Sequence, residues 1–275
     1  YYTYQFDSAL VYVELCHAEA AACRDKQAEV RAQLNKAELL ATGGLYNAAE
    51  GILDKYRVQD LPAGLRYDYA IAAYWTYVYW SAFTMDTEFS TRMDSLRMLN
   101  LNLALQYAVK GSANWYYLRG ERSYFLKEHP AKTITYYKQC LKRLRGYGRL
   151  YSQATFALAR SYKMLHNNEM YAYWLLASSK SDLLASVKEN AALQDLAMYI
   201  FHQDPGKATL AHHYLLVAMD DATFYNNKLR KLEISNRLPP IVNAYLQQLQ
   251  KQRLFLWGIV ALAVLLAAGA ILLFL

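Results

Sequence analysis

Apolar residues recur three or four positions apart along nearly the whole chain, with polar residues between them. Residues at that spacing lie on one face of an α-helix, whereas strict alternation of apolar and polar positions indicates a strand. No sustained alternation occurs, and the hairpin dipeptides Asn-Gly and Asp-Gly are absent from the sequence. The pattern predicts an all-α chain, and long chains of this kind are commonly built from repeated helix pairs.

Residues 44–56 show the plan of one such pair most clearly, with Gly44, Tyr46 and Ala49 at set positions. Glycine permits a tight turn between two helices, and a small alanine lets them approach closely. The segment resembles the second half of a tetratricopeptide repeat, in which antiparallel helix pairs stack at a period of about 34 residues. We therefore expect residues 28–42 to form the first helix of that repeat.

Further segments follow the same plan. The matches are residues 6–16, 115–141, 154–177 and 192–219, with a longer and less similar pair at 65–83 and 90–109. Turns are expected at residues 129–130, 167–168 and 204–206. The match at the start of the chain covers only a second helix, which predicts a truncated first repeat. Because stacked pairs cover one another's apolar faces and curve into a superhelix, we predict an α-solenoid of tetratricopeptide type with a concave groove.

The last 22 residues, 254–275, carry no charge. At about 1.5 Å per residue they span about 33 Å, which matches the hydrocarbon core of about 30 Å. Trp257 lies near one end, at the depth where indole rings prefer to sit. We predict a single-pass membrane helix.

A stalk helix is expected to lead into this membrane helix. Proline ends a helix and is tolerated in the first turn of the next, so Pro239-Pro240 predicts a break followed by a new helix from about Pro240. No breaker follows before residue 254. The predicted organisation is therefore a repeat domain at 1–237, a stalk helix at 238–253 and a membrane helix at 254–275.

Composition adds little chemistry to this outline. The chain is 55% hydrophobic and 19% charged, carries 26 Tyr and has a formal net charge of +7. These values indicate a globular, moderately basic protein, without separating a nucleic-acid binder from one that works beside an anionic membrane. Three cysteines, Cys16, Cys23 and Cys140, form no CxxC pair, and we interpret them as small buried apolar residues.

No motif indicates an enzyme. The Gly146-x-Gly148 segment lacks the third glycine of a phosphate-binding loop, and neither HExxH nor GxSxG occurs. The adjacent His212 and His213 point about 100° apart on a helix, so they do not form a metal pair. We predict a protein with no catalytic residues, no metal ligands and no cofactor.

One segment stands out by its charge. Residues 129–168 contain eight Lys or Arg and no Asp or Glu. Four of these cations, Lys138, Lys142, Arg145 and Arg149, would share one face of a helix, although the nearby glycines can end that helix early. They form either a site for an anionic partner or the solvated outer face that stacked repeats must expose.

Residues 181–242, followed by the apolar span, are similar to a bacterial family of membrane-anchored tetratricopeptide regulators. The most specific part is the segment DDATFYNNKLRKLEISNRLPPI. The resemblance implies a periplasmic repeat domain behind a secretory signal, one helix through the inner membrane, and then a cytoplasmic coiled coil and C-terminal domain. It implies no catalytic residues, and it implies that the signal, part of the first repeat and the cytoplasmic half lie outside this chain.

The charges beside the span favour the opposite orientation. Lys251 and Arg253 lie directly before it, and positive charge favours the cytoplasmic flank. That rule compares both flanks, and an export signal overrides two charges. We therefore expect a periplasmic repeat domain.

Three functions are compatible with this sequence. The leading hypothesis is a non-enzymatic sensor whose groove binds a protein or peptide segment and whose stalk transmits the bound state, for instance between two registers of a homodimer. The alternative is a tail-anchored cytosolic scaffold that recruits partners to a membrane. Nucleic-acid binding through residues 129–168 is the third and weakest hypothesis.

Overall fold

The structure is a computed structural model that describes residues 5–185 and 190–274, and those residues form twelve α-helices and no strand. The predictions for residues 1–4, 186–189 and 275 lie outside the described residues. The helices are α1 (Phe6–Ala22), α2 (Lys26–Thr42), α3 (Tyr46–Leu53), α4 (Ala63–Phe83), α5 (Ser90–Tyr107), α6 (Ala113–Phe125), α7 (Pro130–Leu141), α8 (Arg149–Met164), α9 (Asn168–Leu184), α10 (Ala191–Gln203), α11 (Ala208–Phe224) and α12 (Lys228–Phe274).

Consecutive helices pack as pairs, and each pair packs on the next along the chain. The predicted turns at residues 129–130, 167–168 and 204–206 all separate helices, the last as a short 3-10 turn. The longer pair expected at 65–83 and 90–109 is formed by α4 and α5. The all-α solenoid predicted from the apolar periodicity is therefore confirmed.

Polar caps and a glycine mark the ends of some of the helices. The Asp25 carboxylate accepts hydrogen bonds from the backbone N–H groups of Gln27 and Ala28, both at 3.0 Å, and so satisfies donors that have no partner inside α2. Asn167 caps α9 in the same way through Met170 N–H at 3.0 Å. Gly44 adopts φ +79° in the turn after α2, a conformation that costs glycine little.

The two ends of the solenoid touch. Tyr225, at the end of α11, and Leu229, in the first turn of α12, are buried in the same apolar cluster as Leu40, Tyr46 and Ala49 of the first repeats. The backbone turn at Gly44 also lies against the Lys228 side chain. The last repeat therefore shares a core with the first, which a simple stack of neighbouring pairs does not require.

The helix break expected at Pro239-Pro240 is wrong. One helix, α12, runs from Lys228 to Phe274 with both prolines inside it. Proline removes a backbone hydrogen bond and costs about 3 kcal/mol in a helix interior. Here both prolines and the residues four positions before them, Ser235 and Asn236, are exposed, so water can hydrate the freed carbonyl groups. Ile234 and Ile241, on either side of the prolines, are fully buried. Tertiary packing thus keeps the helix intact.

The predicted start of the stalk falls within a continuous helix, and it stays a prediction. The boundary between repeat domain and stalk, placed at residues 237 and 238, lies inside α12. The first part of α12 is a component of the repeat domain, and no separate linker joins the domain to the apolar segment.

The expectation of three buried cysteines holds for one of them. Cys140 is buried between helices, whereas Cys16 and Cys23 are exposed on α1 and at its end. Burial raises the pKa of the Cys140 thiol to about 12, although the nearby Arg143 opposes the shift. Spacing alone did not reveal which face of α1 points outward, because α1 has apolar residues on several faces.

Two glycines provide a matched test of packing. A methyl group at Gly120 would overlap the ring of Tyr137, which is fully buried and cannot move aside. We expect Gly120→Ala to lower the free energy of unfolding by about 1–3 kcal/mol. A methyl group at Gly51 in α3 would have no neighbouring atom within 4 Å, so Gly51→Ala should raise it by about 0.5–1 kcal/mol. Urea unfolding followed by tryptophan fluorescence would show the opposite signs, and equal effects would contradict this packing.

Candidate functional site

A carboxylate is buried where four helices meet. Glu121 of α6 accepts hydrogen bonds from the hydroxyl groups of Tyr74 on α4, at 3.0 Å, and Tyr137 on α7, at 2.7 Å. It also forms an ion pair with Arg160 of α8, whose Nη2 lies 3.1 Å from the carboxylate. A buried charge is costly unless it is paired and hydrogen-bonded, and Glu121 has three such partners.

The surroundings of this centre favour one protonation pattern. Burial, together with the Glu121 charge, raises the pKa values of Tyr74 and Tyr137 well above the ordinary value, so both remain hydroxyl donors. The Arg160 guanidinium also lies over the rings of Tyr124 and Phe156, at 4.7 and 5.4 Å from their centroids. The centre thus joins α4, α6, α7 and α8 through one buried network of hydrogen bonds and an ion pair.

Arg149 joins two distant parts of the chain. It is the first residue of α8, and its Nη1 lies 2.9 Å from a carboxylate oxygen of Glu38 on α2. Its guanidinium also lies over the ring of Trp75 on α4, 5.2 Å from the centroid. Both partners of the ion pair are largely buried, so the contact is shielded from water and from salt.

A cavity of about 230 Å³ lies beside Arg149. We call the surface around it the inner face, because α4, α6 and α8, the first helices of successive pairs, contribute to it. Its lining residues are Tyr67, Ile71, Trp75, Asn114, Tyr117, Leu118, Arg149, Leu150 and Gln153.

The inner face offers aromatic surface together with a hydrogen-bond donor. The Gln153 side-chain Nε2 is buried and has no hydrogen-bond partner among the described residues. Burial raises the pKa of Tyr67 to about 12, with contributions from Asp68 and Glu38, so its phenol stays neutral and donates. Such a surface can hold an apolar side chain of a ligand and bind a neighbouring carbonyl group.

A larger cavity of about 700 Å³ lies between the turn after α4 and the ends of α6 and α8. Its lining combines apolar residues with ions: Ser81, Ala82, Met85, Asp86, Ser90, Asp94, Arg97, Tyr124, Phe125, Lys127 and Met164. The Arg97 guanidinium lies over Phe125, 4.5 Å from the ring centroid. This cavity is a second surface that can receive a side chain of a partner.

The four predicted cations do not form one helix face. Helix α7 ends at Leu141, with Lys142 as its C-cap, and α8 begins at Arg149. Lys138, Lys142 and Arg145 are exposed, while Arg149 pairs with Glu38. The expectation of a single stripe is wrong because the helix ends before Arg145. As a binding site, these four residues remain a prediction.

Sequence patterns did not identify the other residues of the inner face. Trp75 lies in an aromatic-rich helix, where its ring is indistinguishable from those of buried neighbours such as Tyr74. Gln153 has no distinguishing neighbours in sequence. Arg149 was the one residue of the inner face that the sequence singled out, because it is charged. The sequence did not show that its side chain is largely buried.

The stalk part of α12 is fixed to the repeat domain well beyond its buried first turns. Arg237 pairs with Asp195 of α10 at 2.7 Å. The Gln248 amide nitrogen donates to the backbone carbonyl oxygens of Pro205 and Gly206, at 3.1 and 2.8 Å. These contacts hold α12 alongside α10 and α11 up to six residues before the uncharged segment.

Beyond Gln248, α12 is long and apolar enough to cross a membrane. An 18-residue window within it has a mean hydropathy of 2.6, and none of that window is buried against the rest of the protein. Within residues 5–185 and 190–274, no cluster of three or more His, Cys, Asp or Glu is arranged to hold a metal ion.

The stacked helix pairs define a tetratricopeptide-type protein-interaction domain that continues into a helix of membrane length. More specifically, the chain belongs to the SusR N-terminal TPR domain family, whose family model matches residues 1–236. The resemblance to a bacterial tetratricopeptide family with a membrane helix is thereby confirmed. Comparisons with curated proteins and with solved structures give no match.

The buried carboxylate supplies a stability test. Glu121→Leu would leave the Arg160 charge partly buried without its counterion, so we expect a loss of about 3 kcal/mol in unfolding free energy. Adding Arg160→Met removes the stranded charge and should recover part of that loss. Asp68→Asn, which breaks an exposed ion pair with Arg31, should cost at most about 1 kcal/mol. A double variant less stable than Glu121→Leu would contradict the assignment.

Proposed function

We propose that this chain is the partner-binding and membrane-spanning part of a bacterial membrane regulator. The repeat domain lies in the periplasm and binds a protein or peptide segment. Helix α12 then carries the bound state through the inner membrane to an output domain on the cytoplasmic side. Membership in the SusR N-terminal TPR domain family supports the protein-interaction role.

The observation that carries this proposal is the continuity of α12. Leu229, Ile234 and Ile241 are at most 3% exposed, so the first part of the helix belongs to the core of the domain. The same helix then provides the apolar segment without an intervening loop. A change in domain packing therefore moves the membrane helix directly.

The inner face is the proposed ligand site. It is shared by α4, α6 and α8, and the Arg149–Glu38 pair connects it to α2. The residues of α2 that pack near Glu38 belong to the cluster that also contains Leu229 of α12. A segment that binds between these helices and favours one spacing of α2 and α8 would thus favour one position of α12.

The rival function uses the same fold in another compartment. A tail-anchored cytosolic scaffold would bind partners through the same surface but would not transmit a signal. Lys251 and Arg253 favour this orientation, while the similarity to the membrane-anchored regulator family favours the periplasmic one. For signalling, a homodimer formed through α12 would provide two registers of the paired helices. The scaffold does not need a homodimer.

The native cysteines can determine the orientation. With the protein expressed from its complete coding sequence, a membrane-impermeant maleimide added to intact spheroplasts should label the exposed Cys16 and Cys23. Buried Cys140, whose pKa is raised to about 12, should stay unlabelled and serves as the folding control. Peptide mass spectrometry locates the labels. Labelling of Cys16 and Cys23 only after lysis would establish the scaffold orientation.

Photo-crosslinking tests the ligand site. A photoreactive amino acid in place of Gln153 should form adducts with a partner protein in native membranes, because the Gln153 side chain lines the cavity. The same group in place of Gln106, exposed on α5, is the matched control and should form none. Asn114→Arg, which places a longer side chain in the cavity lining, should reduce the Gln153 adduct at least fivefold. Equal adducts at both positions would contradict the inner face as the site.

A further inference from the structure

We propose that one edge of the repeat domain lies on the surface of the bilayer that α12 enters and binds anionic lipid headgroups there. We call this surface the membrane edge, and it consists of residues 163–169, 202–207 and 249–253. The inference rests on α12 crossing a membrane, which is part of the proposed function. It does not depend on the side of the membrane, on the partner or on signalling.

The position of the membrane edge follows from helix geometry. The Gln248 side chain donates hydrogen bonds to the carbonyl groups of Pro205 and Gly206, so the turn between α10 and α11 lies beside that residue. The uncharged segment begins at Leu254, six residues further along the same continuous helix. At about 1.5 Å per residue, the separation along the helix is about 9 Å.

That separation places the turn at the outer boundary of the headgroup layer. A bilayer measures about 40–45 Å including its polar regions and about 30 Å without them, so each headgroup layer is about 5–8 Å thick. A turn about 9 Å from the start of the apolar segment therefore lies at the outer limit of that layer. The rigid contact at Gln248 leaves no linker that would let the domain move away.

A second turn lies at the same edge. Residues at the α8–α9 junction and at the end of α10 line one cavity of about 340 Å³, with Lys163 and Asn168 on one side and His202 and Gln203 on the other. Arg237 of α12 also lines this cavity. All residues from 163 to 169 and from 202 to 207 are exposed. The two turns thus lie at the same end of neighbouring helix pairs, on the side toward which α12 continues into the membrane segment.

The chemistry of this surface suits an anionic interface. Met164 and Leu165 are 45% and 43% exposed, which leaves apolar side chains available to enter the interfacial region. Lys163, Lys207, Lys251 and Arg253 provide positive charge against two acidic residues, Glu169 and Asp204, the latter near Lys207. Basic groups held at the surface of a bilayer attract anionic lipids.

Positive charge alone does not distinguish the membrane edge from the rest of the domain surface. Lys142 and Arg145, together with exposed Tyr147, lie at the opposite end of α8. Sixteen helical residues separate the two ends, a distance of about 24 Å. The end that carries Met164 lies on the side where α12 leaves the domain, so the opposite end provides a matched control of the same charge.

The test uses the full chain in nanodiscs with Cys16→Ser and Cys23→Ser, so that one introduced cysteine carries an environment-sensitive fluorophore. In discs containing about 30% phosphatidylglycerol, a label at Leu165→Cys should be quenched by lipids with nitroxide headgroups. A label at Tyr147→Cys should not be quenched. Lys163→Glu with Lys207→Glu should reduce the quenching at position 165 at least twofold, while Lys142→Glu with Arg145→Glu should leave it unchanged.

The outcomes separate this inference from the function on which it rests. A chain that does not co-elute with nanodiscs contradicts membrane insertion itself, and with it both proposals. A chain that co-elutes but shows no quenching at position 165 contradicts only the membrane edge. Quenching of equal strength in pure phosphatidylcholine discs, or insensitivity to Lys163→Glu with Lys207→Glu, overturns the recognition of anionic headgroups.

Discussion

The organisation of this protein depends on one helix that is a core element of the repeat domain over its first part and an exposed apolar segment over its second. From Lys228 to Gln248, α12 buries a stripe of side chains in the repeat domain, and beyond that its apolar side chains face outward on all sides. A helix satisfies its own backbone hydrogen bonds in both environments, which is the condition for crossing from a protein core into lipid. Because no loop interrupts α12, a movement of the repeat domain also moves the apolar segment.

The rest of the domain is held by contacts that the tyrosine-rich composition makes possible. Tyr74 and Tyr137 pack as large apolar rings and also donate hydrogen bonds to Glu121, so a charged group can lie inside a layer of small residues and aromatic rings. Arg160 and Arg149, both on α8, extend this network to the aromatic residues of neighbouring helices. Helix α8 therefore connects the buried centre to the inner face.

Local sequence patterns predicted the helix pairs and the apolar segment well, because each depends on residues only a few positions apart. Gly44 and the turn at residues 167–168 are such cases. The contacts that position the site lie much further apart: Arg149 and Glu38 are separated by 111 residues, and no periodic pattern links them. At Pro239-Pro240 a local pattern gave the wrong result. Proline does disfavour a helix interior, but the burial of Ile234 and Ile241 outweighs that cost and keeps α12 continuous.

The contact between the first and last repeats changes how such a solenoid should come apart. In an open stack, terminal repeats have one neighbour each and fray first, so unfolding spreads inward from the ends. Here Leu229 and Tyr225 cover the first repeats, and α2 is also joined to α8. Helix α1 keeps an exposed outer side, whereas α2 and the start of α12 are both covered by other parts of the domain. The helices from α2 to the start of α12 should therefore lose their structure as one cooperative unit, and a disturbance at either of these two helices is shared by the helices between them.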